Sequence, residues 1–211
     1  MPASGPDLER SRRQYTAVAE GYDRLMRRTR RWQQLAVDRL FLGDGETVLD
    51  VACGTGLNFQ DLRTAVGRRG RIIGIDSSPE MIERARERVS RSGWTNVDLI
   101  EAAVEEADID GEADAALFSF THDVLQSPAA VDNILPRLKQ GGRVSSVGAK
   151  WAPGWAVPVN IGVRLAARRF VTTFDGMDRP WRLLEPYTGN LRLERLALGG
   201  AYVAWGEIRG T

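Results

Sequence analysis

The sequence has few residues that could cross-link the chain or anchor it in a membrane. Cys53 is the single cysteine among 211 residues, which excludes an internal disulfide and leaves too few thiols for a structural zinc site. The apolar runs are too short to span a bilayer. The first fifteen residues also lack the apolar core and cleavage site of a secretory signal. We therefore expect a cytoplasmic protein with no integral membrane segment.

An excess of charge of one sign is also missing. Lysine and arginine number 29 against 28 aspartates and glutamates, for a net charge of +1. Such a balance gives no overall field for general nucleic-acid binding. No set of carboxylates and histidines has the spacing of metal ligands, so we expect no catalytic metal. The length fits one domain, residues 1–211.

Between residues 43 and 150, short apolar runs alternate with segments of helical spacing. Strands that alternate with helices predict a parallel, doubly wound α/β sheet with right-handed crossovers. This segment is the predicted cofactor-binding core. Its five predicted strands are residues 47–51, 71–76, 97–102, 113–120 and 143–148.

The two ends of the chain depart from this alternation. Residues 1–42 carry apolar positions at helical spacing and predict a cap of two helices. Residues 191–198 and 201–208 are strand-like and are separated only by Gly199 and Gly200. Such a short connection predicts an antiparallel hairpin at the end of the sheet.

A glycine-rich turn follows the first predicted strand. Val48 to Gly56 reads VLDVACGTG, and Asp76 ends the second strand twenty residues after Gly56. Both elements lie at the carboxyl ends of adjacent strands, where an open α/β sheet binds its ligand. Glycine at positions 54 and 56 would let the backbone approach that ligand. Because the carboxylate of Asp76 can accept two hydrogen bonds from a ribose diol, the ligand should contain a nucleoside.

The same arrangement serves dinucleotides, so the kind of nucleoside has to be argued separately. A dinucleotide fingerprint needs a third small residue in its glycine motif, and Phe59 stands there. Asp50 would repel a pyrophosphate, but it favours the ammonium and sulfonium charges of S-adenosylmethionine (SAM). A dinucleotide-dependent oxidoreductase is therefore the weaker alternative.

Residues 50–56 and 75–81 resemble two motifs of the class I SAM-dependent methyltransferases, with Ala52 in place of the usual first glycine. The menaquinone/ubiquinone-type and small-molecule enzymes are the most similar by appearance. The resemblance implies a seven-stranded Rossmann-like sheet that ends in the antiparallel hairpin, and SAM as the cofactor. The cofactor-binding residues expected on this resemblance are Asp50, Ala52, Gly54, Gly56, Asp76, Ser77, Met81, Ala103 and Ser119. In the cap, Tyr15 and Tyr22 could close over the cofactor, and we count Tyr22 among its ligands; the alternative for both is packing in the core.

The region after the fourth strand is where such folds bring the acceptor to the methyl group. His122, the only histidine, could accept a proton from the acceptor as a catalytic base. Alternatively it begins a helix and satisfies nearby backbone groups. We expect Asp123 to cap the following helix instead of contacting the acceptor.

Residues 151–190 form a long connection with many aromatic side chains. A long segment over a crevice often forms a substrate wall. We therefore predict an acceptor pocket there, to which Tyr15 of the cap also contributes. Its other predicted members are Trp151, Trp155 and Phe170. The alternative is a surface helix whose aromatic side chains pack into the core.

A second local feature is the arginine run Arg24–Arg31 in the cap. It could contact phosphate or lipid, although most such runs are solvated helix faces.

These expectations converge on a methyltransferase that acts on a small-molecule acceptor by in-line transfer and releases S-adenosylhomocysteine. A phospholipid headgroup N-methyltransferase is an alternative within the class. A SAM-binding protein without transferase activity is an alternative outside it. Peripheral lipid contact and a homodimer are both left open.

Overall fold

The computed structural model describes residues 23–24, 26–168 and 170–209. Most of the predicted cap, including Tyr15 and Tyr22, lies outside these ranges. The described part of the cap contains a short 3-10 turn, Arg27–Thr29, followed by helix α1, Arg30–Asp38. The second cap helix therefore exists, and it ends before strand β1.

Seven strands form one sheet in the order β3-β2-β1-β4-β5-β7-β6. Strands β1 to β5 run parallel, β7 pairs antiparallel with β5, and β6 pairs antiparallel with β7. The predicted α/β sheet with its antiparallel hairpin is thus confirmed. The strands are β1 Thr47–Val51, β2 Arg71–Asp76, β3 Val97–Glu101, β4 Ala113–Ser119, β5 Leu138–Ala149, β6 Arg192–Leu196 and β7 Ala201–Glu207.

The helices begin where local chemistry favours a helix start. Ser78 accepts a hydrogen bond from the Met81 backbone N–H, and Ser127 does the same for Ala130; each serine precedes a proline at the first helical position. Besides α1, the described chain contains five α-helices, two of which are those that follow Ser78 and Ser127. They are α2 Phe59–Val66, α3 Pro79–Arg91, α4 His122–Leu125, α5 Pro128–Ile134 and α6 Val157–Ala167.

Apolar clusters cover both faces of the sheet. On one face Leu62 and Ile82 pack over Val48. On the other, Phe118 packs with Ile134 and its neighbours. Burial on both faces explains why the central strands are continuous apolar runs.

Two predicted boundaries were wrong. Strand β5 begins at Leu138 instead of residue 143 because the chain becomes extended before Gly141–Gly142, and Leu138 already pairs with Ala113. The hairpin connection is longer than two glycines, since Ala197–Gly199 forms a 3-10 turn. The first difference arises from pairing with a distant strand, which the local pattern does not contain.

Candidate functional site

The strand order reverses between β1 and β4, and this point defines the site. The chain leaves β1 at Ala52 and β4 at Phe120, and both residues have left-handed backbone conformations, with φ of 52° and 59°. Such values are uncommon for residues with a side chain and cluster at functional sites. At Ala52 the conformation explains why related motifs use glycine there. A ligand crevice is expected at such a reversal.

The loop after β1 is held by the end of β2. The Asp76 carboxylate accepts hydrogen bonds from the backbone N–H of Gly54 at 2.8 Å and of Ser78 at 2.9 Å. Each carboxylate oxygen accepts one of these two hydrogen bonds, so each can accept a further hydrogen bond from a ribose diol. Burial raises the pKa of Asp76, while these backbone hydrogen bonds oppose the rise. Asp76 is therefore both the organiser of the loop and a candidate ribose ligand.

Glycine is required at position 56 because of packing within the protein, whereas the sequence suggested that it makes room for the ligand. It has φ of 73°, and a Cβ added there would lie 2.4 Å from the ring of Phe59. Phe59 is fully buried beneath the loop. Packing against that ring, instead of space for the ligand, excludes a side chain at position 56.

Asp50 is a buried carboxylate without an ion pair among the described residues. Its side chain is inaccessible to solvent, and the Asn58 amide donates to it, with Nδ2 3.3 Å from both carboxylate oxygens. Burial raises the pKa of Asp50 to about 7, helped by the Asp76 charge, while Asn58 opposes the rise. A cationic ligand near this position would favour the ionised form.

The cap contacts the same loop through an ionic cluster. Thr55 donates a hydrogen bond from its hydroxyl to Asp23 at 2.6 Å. Arg88 on α3 forms an ion pair with Asp23 and donates to the Thr55 carbonyl at 2.7 Å. The cap latch, as we call Asp23, Thr55 and Arg88, thus joins three segments around the glycine loop. None of its members was singled out in the sequence, because only the fold brings them together.

The remaining predicted cofactor residues lie around this loop. Ser77 is exposed after β2, Met81 is fully buried in the first turn of α3, and Ala103 is half-buried just beyond β3. Ser119 ends β4, and its buried hydroxyl has no hydrogen-bond partner in the described chain. Their roles toward a cofactor stay predictions.

A cavity of about 310 Å³ lies beside the loop. Met26 of the cap, Phe120 and Phe170 line it, and these three side chains also pack with the buried Met81. The cavity therefore adjoins the predicted cofactor residues at Met81. Its other walls come from β5, β7, the α6 end and the cap: Arg28, Thr29, Thr121, His122, Val147, Gly148, Ala149, Leu165, Ala166, Ala167, Val171, Met177 and Tyr202.

His122 is the titratable wall residue best placed to accept a proton. Its Nε2 lies 3.0 Å from the Asp175 carbonyl oxygen, which can only accept, so Nε2 carries the hydrogen. Nδ1 then keeps a free lone pair, and it is buried with no hydrogen-bond partner in the described ranges. Burial lowers the pKa of His122 below its usual 6.5, against the opposing charge of Asp123. The imidazole is thus neutral at physiological pH.

The aromatic segment is only partly a cavity wall. Phe170 lines the cavity, but Trp151 stacks on Phe174 with ring centroids 5.6 Å apart and is not among the wall residues. Trp155 is 76% exposed on the outer side. Trp155 does not line this cavity, and its role toward the acceptor stays a prediction. Trp181 packs into the core against Tyr202, with ring centroids 4.8 Å apart.

Asp123 does not cap the helix that follows. It accepts hydrogen bonds from the backbone N–H and the hydroxyl of Thr172, at 2.9 and 2.8 Å. Ser127 performs the capping. Asp123 instead fixes the chain beyond α6 to the start of α4.

Two wall residues were missed by the sequence argument. Tyr202 is buried on β7 and exchanges a hydrogen bond of 2.9 Å with Ser146. Met177 is fully buried in the connection after α6. Nothing in the local pattern marks either residue, because β7 and that connection reach the cavity only through the sheet order.

The fold and the glycine loop define a nucleoside-binding α/β protein, and comparison with known proteins narrows the class. Residues 48–142 match the family model described as a methyltransferase domain. The ubiquinone/menaquinone biosynthesis C-methyltransferase UbiE of Geobacter sp. (strain M21) is 35% identical over 144 residues, which cover 64% of this chain and 61% of that protein. The demethylmenaquinone methyltransferase of Geobacillus stearothermophilus is 33% identical over 97 residues, 44% and 42% of the two chains. The chain spans less than two thirds of either relative.

Solved structures share the fold at low sequence identity. The N-methyltransferase NodS of Bradyrhizobium japonicum WM9, in complex with S-adenosyl-L-homocysteine, has a TM-score of 0.62 and 17% identity, covering 84% of this chain and 86% of its own. A SAM-dependent methyltransferase from Aquifex aeolicus has a TM-score of 0.58 and 20% identity, with coverage of 83% and 89%. The family model over residues 48–142 and this sheet order together show a methyltransferase domain with the fold of the class I SAM-dependent methyltransferases.

The residues present fit the family's cofactor. Asp76 keeps free acceptor capacity for a ribose diol, as described above. Asp50 is a buried carboxylate that a nearby cation would stabilise, and SAM carries two positive centres. Phe59 fills the space beneath Gly56, at the position where a dinucleotide site needs a small residue for close approach of the helix. SAM fits this site better than a dinucleotide does.

Proposed function

We propose that the protein catalyses methyl transfer from SAM to a small, largely apolar acceptor that contains a ring system. The observation that carries this proposal is the cavity of about 310 Å³ whose walls are mostly aliphatic and aromatic and which shares Met26, Phe120 and Phe170 with the packing around Met81. A cavity of this size is at the lower end of the range for small-molecule sites. It suits one acceptor molecule beside the cofactor site.

Methyl transfer mainly requires that the acceptor atom be aligned with the methyl group. SAM supplies an activated methyl group, and its transfer is an in-line displacement in which the protein orients the acceptor and excludes water. The apolar walls exclude water, and His122 offers a neutral Nδ1 that can take a proton from an oxygen, nitrogen or carbon acid. The neighbouring wall residue Thr121 has a hydroxyl without a hydrogen-bond partner in the described chain. This hydroxyl can orient a polar group of the acceptor.

The names of the relatives indicate which acceptor to test first. The two quinone-pathway methyltransferases above act, by name, on ring compounds of the ubiquinone and menaquinone routes. A demethylated quinol is therefore the first candidate. The near-zero net charge and the scarcity of polar groups in the cavity favour such a compound over a nucleic acid.

Mass spectrometry of reaction mixtures tests the proposal directly. Purified protein with SAM and a demethylquinol panel should give a product heavier by one CH₂ unit and an equivalent amount of S-adenosylhomocysteine. Short RNA and phosphatidylethanolamine serve as rival acceptors. SAM binding without methylated product from any acceptor would favour a SAM-binding protein that lacks transferase activity.

Two substitutions show whether the product forms in this cavity. Phe170→Ala should raise the acceptor's Michaelis constant by about tenfold, the effect of removing a few buried methylene equivalents, with nearly unchanged SAM affinity. Phe41→Ala is the matched control, because Phe41 is 64% exposed, precedes β1 in the chain and does not line the cavity. Equal effects of both variants would place the acceptor elsewhere.

A further inference from the structure

Helix α6 presents an apolar stripe to solvent. Val157, Ile161 and Leu165, spaced four residues apart, are each more than half exposed, and Trp155 in the preceding turn is 76% exposed. We call these four residues the α6 face. The described chain has seven exposed large apolar side chains, and the other three, Phe41, Leu193 and Leu198, lie outside this segment. Apolar side chains grouped in this way mark an interaction surface.

The α6 face is held firmly in this orientation. Asn160 accepts a hydrogen bond from the Ala152 N–H at 2.8 Å and donates one to its carbonyl at 3.2 Å, which fixes the turn that carries Trp155. On the inner side of the helix, Val159 and Val163 pack against Gly200, where a Cβ would come within 2.7 Å of Val159. The stripe is therefore exposed because the opposite side of α6 is already packed.

The charge around the face is of one sign. Residues 151–174 contain no aspartate or glutamate but three arginines. Arg164 and Arg168 are exposed on and just after the helix, and Arg28 of the cap is exposed on the cavity wall that Leu165 also lines. Apolar side chains bordered by arginine, with a tryptophan at one end, have the composition of helices that lie in the interface of an anionic membrane.

We propose that the α6 face docks on the surface of an anionic lipid bilayer. A second copy of the chain is the weaker candidate because residues 151–174 supply arginines but no carboxylate to pair with those of the other copy. Within the described parts of the chain, none of the helices is both long and apolar enough to cross a bilayer, so docking would be peripheral. Since Leu165 belongs to both the face and the cavity wall, the proposed apolar acceptor would enter from the lipid side; this last step rests on the proposed function.

Co-sedimentation with vesicles tests the docking without any turnover. The full chain should bind vesicles of equal parts phosphatidylglycerol and phosphatidylcholine, more weakly at high salt and poorly to phosphatidylcholine alone. The double variant Trp155→Ser, Ile161→Ser should lower the partition coefficient by about tenfold or more, since both side chains would leave the interface. Phe41→Ser, the control at an exposed apolar residue outside the α6 face, should bind like the parent chain.

Two outcomes would overturn the proposal. One is equal vesicle binding by the double variant and the parent chain, both still stabilised by S-adenosylhomocysteine. The other is a dimer in sedimentation velocity without lipid that Ile161→Ser converts to a monomer, which would make the face a contact between copies. If the chain binds vesicles but gives no methylated product, the proposed function is refuted and the docking proposal stands.

Discussion

At the scale of single residues, Asp50 combines a cost to stability with a use in binding. Its pKa is raised from 3.8 to about 7 by burial, so the folded chain holds a proton that the unfolded chain releases between those values. The stability of the parent chain should therefore fall as pH rises through this window. Such a site persists only where the ionised form has a use, and a cationic cofactor provides one.

Asp50→Asn should reverse this balance. At pH 8 the variant should be more stable than the parent chain by a few kcal/mol at most, because it removes a buried charge and keeps the shape of the side chain. The gain should shrink as pH falls and vanish well below the unfolded pKa of 3.8, where the parent carboxyl is protonated in both states. In the parent chain, SAM affinity should rise between pH 6 and 8 as Asp50 becomes ionised. In the variant, SAM affinity should be lower at pH 8 and should show no such rise. Denaturant unfolding and calorimetry measure both; unchanged affinity would remove Asp50 from the cofactor site.

His122 is a proton acceptor only if turnover depends on its neutral form. Because burial lowers its pKa below 6.5, turnover of the parent chain should be level above pH 7 and decline below the usual histidine range. His122→Gln can keep a donor toward the Asp175 carbonyl but has no base. We expect turnover to drop by about 10²–10⁴, the usual contribution of a positioned base, and to recover partly at high pH. Unaltered turnover with lowered stability would assign His122 a structural role.

At the scale of elements, the cap latch links the cap to the glycine loop and α3. The ion pair between Arg88 and Asp23 is partly exposed, so its contribution to stability is small, within about 1 kcal/mol. Its position matters more, since Arg88 and Asp23 both hold Thr55 in the middle of the loop. The cap therefore supports the loop that is expected to bind the cofactor.

Asp23→Ala should separate these two contributions. We expect SAM affinity to fall several-fold while the unfolding free energy changes by less than about 1 kcal/mol, as for an exposed pair. Glu83→Ala is the matched control, because it removes the Arg86–Glu83 ion pair on the same helix without touching the loop. Isothermal titration with S-adenosylhomocysteine measures the affinity. Equal affinities of the two variants would reduce the latch to a surface contact.

At the scale of the whole molecule, a ligand seated at the reversal of strand order should stabilise the chain as one unit. At a concentration one hundred times its dissociation constant, S-adenosylhomocysteine should add about 2.7 kcal/mol and raise Tm by roughly 5–10 °C for a domain of this size. NAD at the same concentration should shift Tm little. Scanning calorimetry compares the two ligands, and a larger shift with NAD would contradict the cofactor assignment. A single transition would also support one domain over residues 1–211.

The sequence by itself determined the layers of this protein and one half of its site. Alternating apolar runs specify strands and helices locally, and VLDVACGTG with Asp76 lies on two consecutive strands, so β1, β2 and the glycine loop followed from short-range pattern. The cavity did not, because Met26, Phe120, Phe170 and Tyr202 come from distant segments that meet only through the order β3-β2-β1-β4-β5-β7-β6. Trp155 shows the same limit in reverse: its segment is aromatic, but the packing of Val159 and Val163 on Gly200 turns it outward. Which side of α6 is covered is a property of tertiary contacts, and no local pattern encodes it.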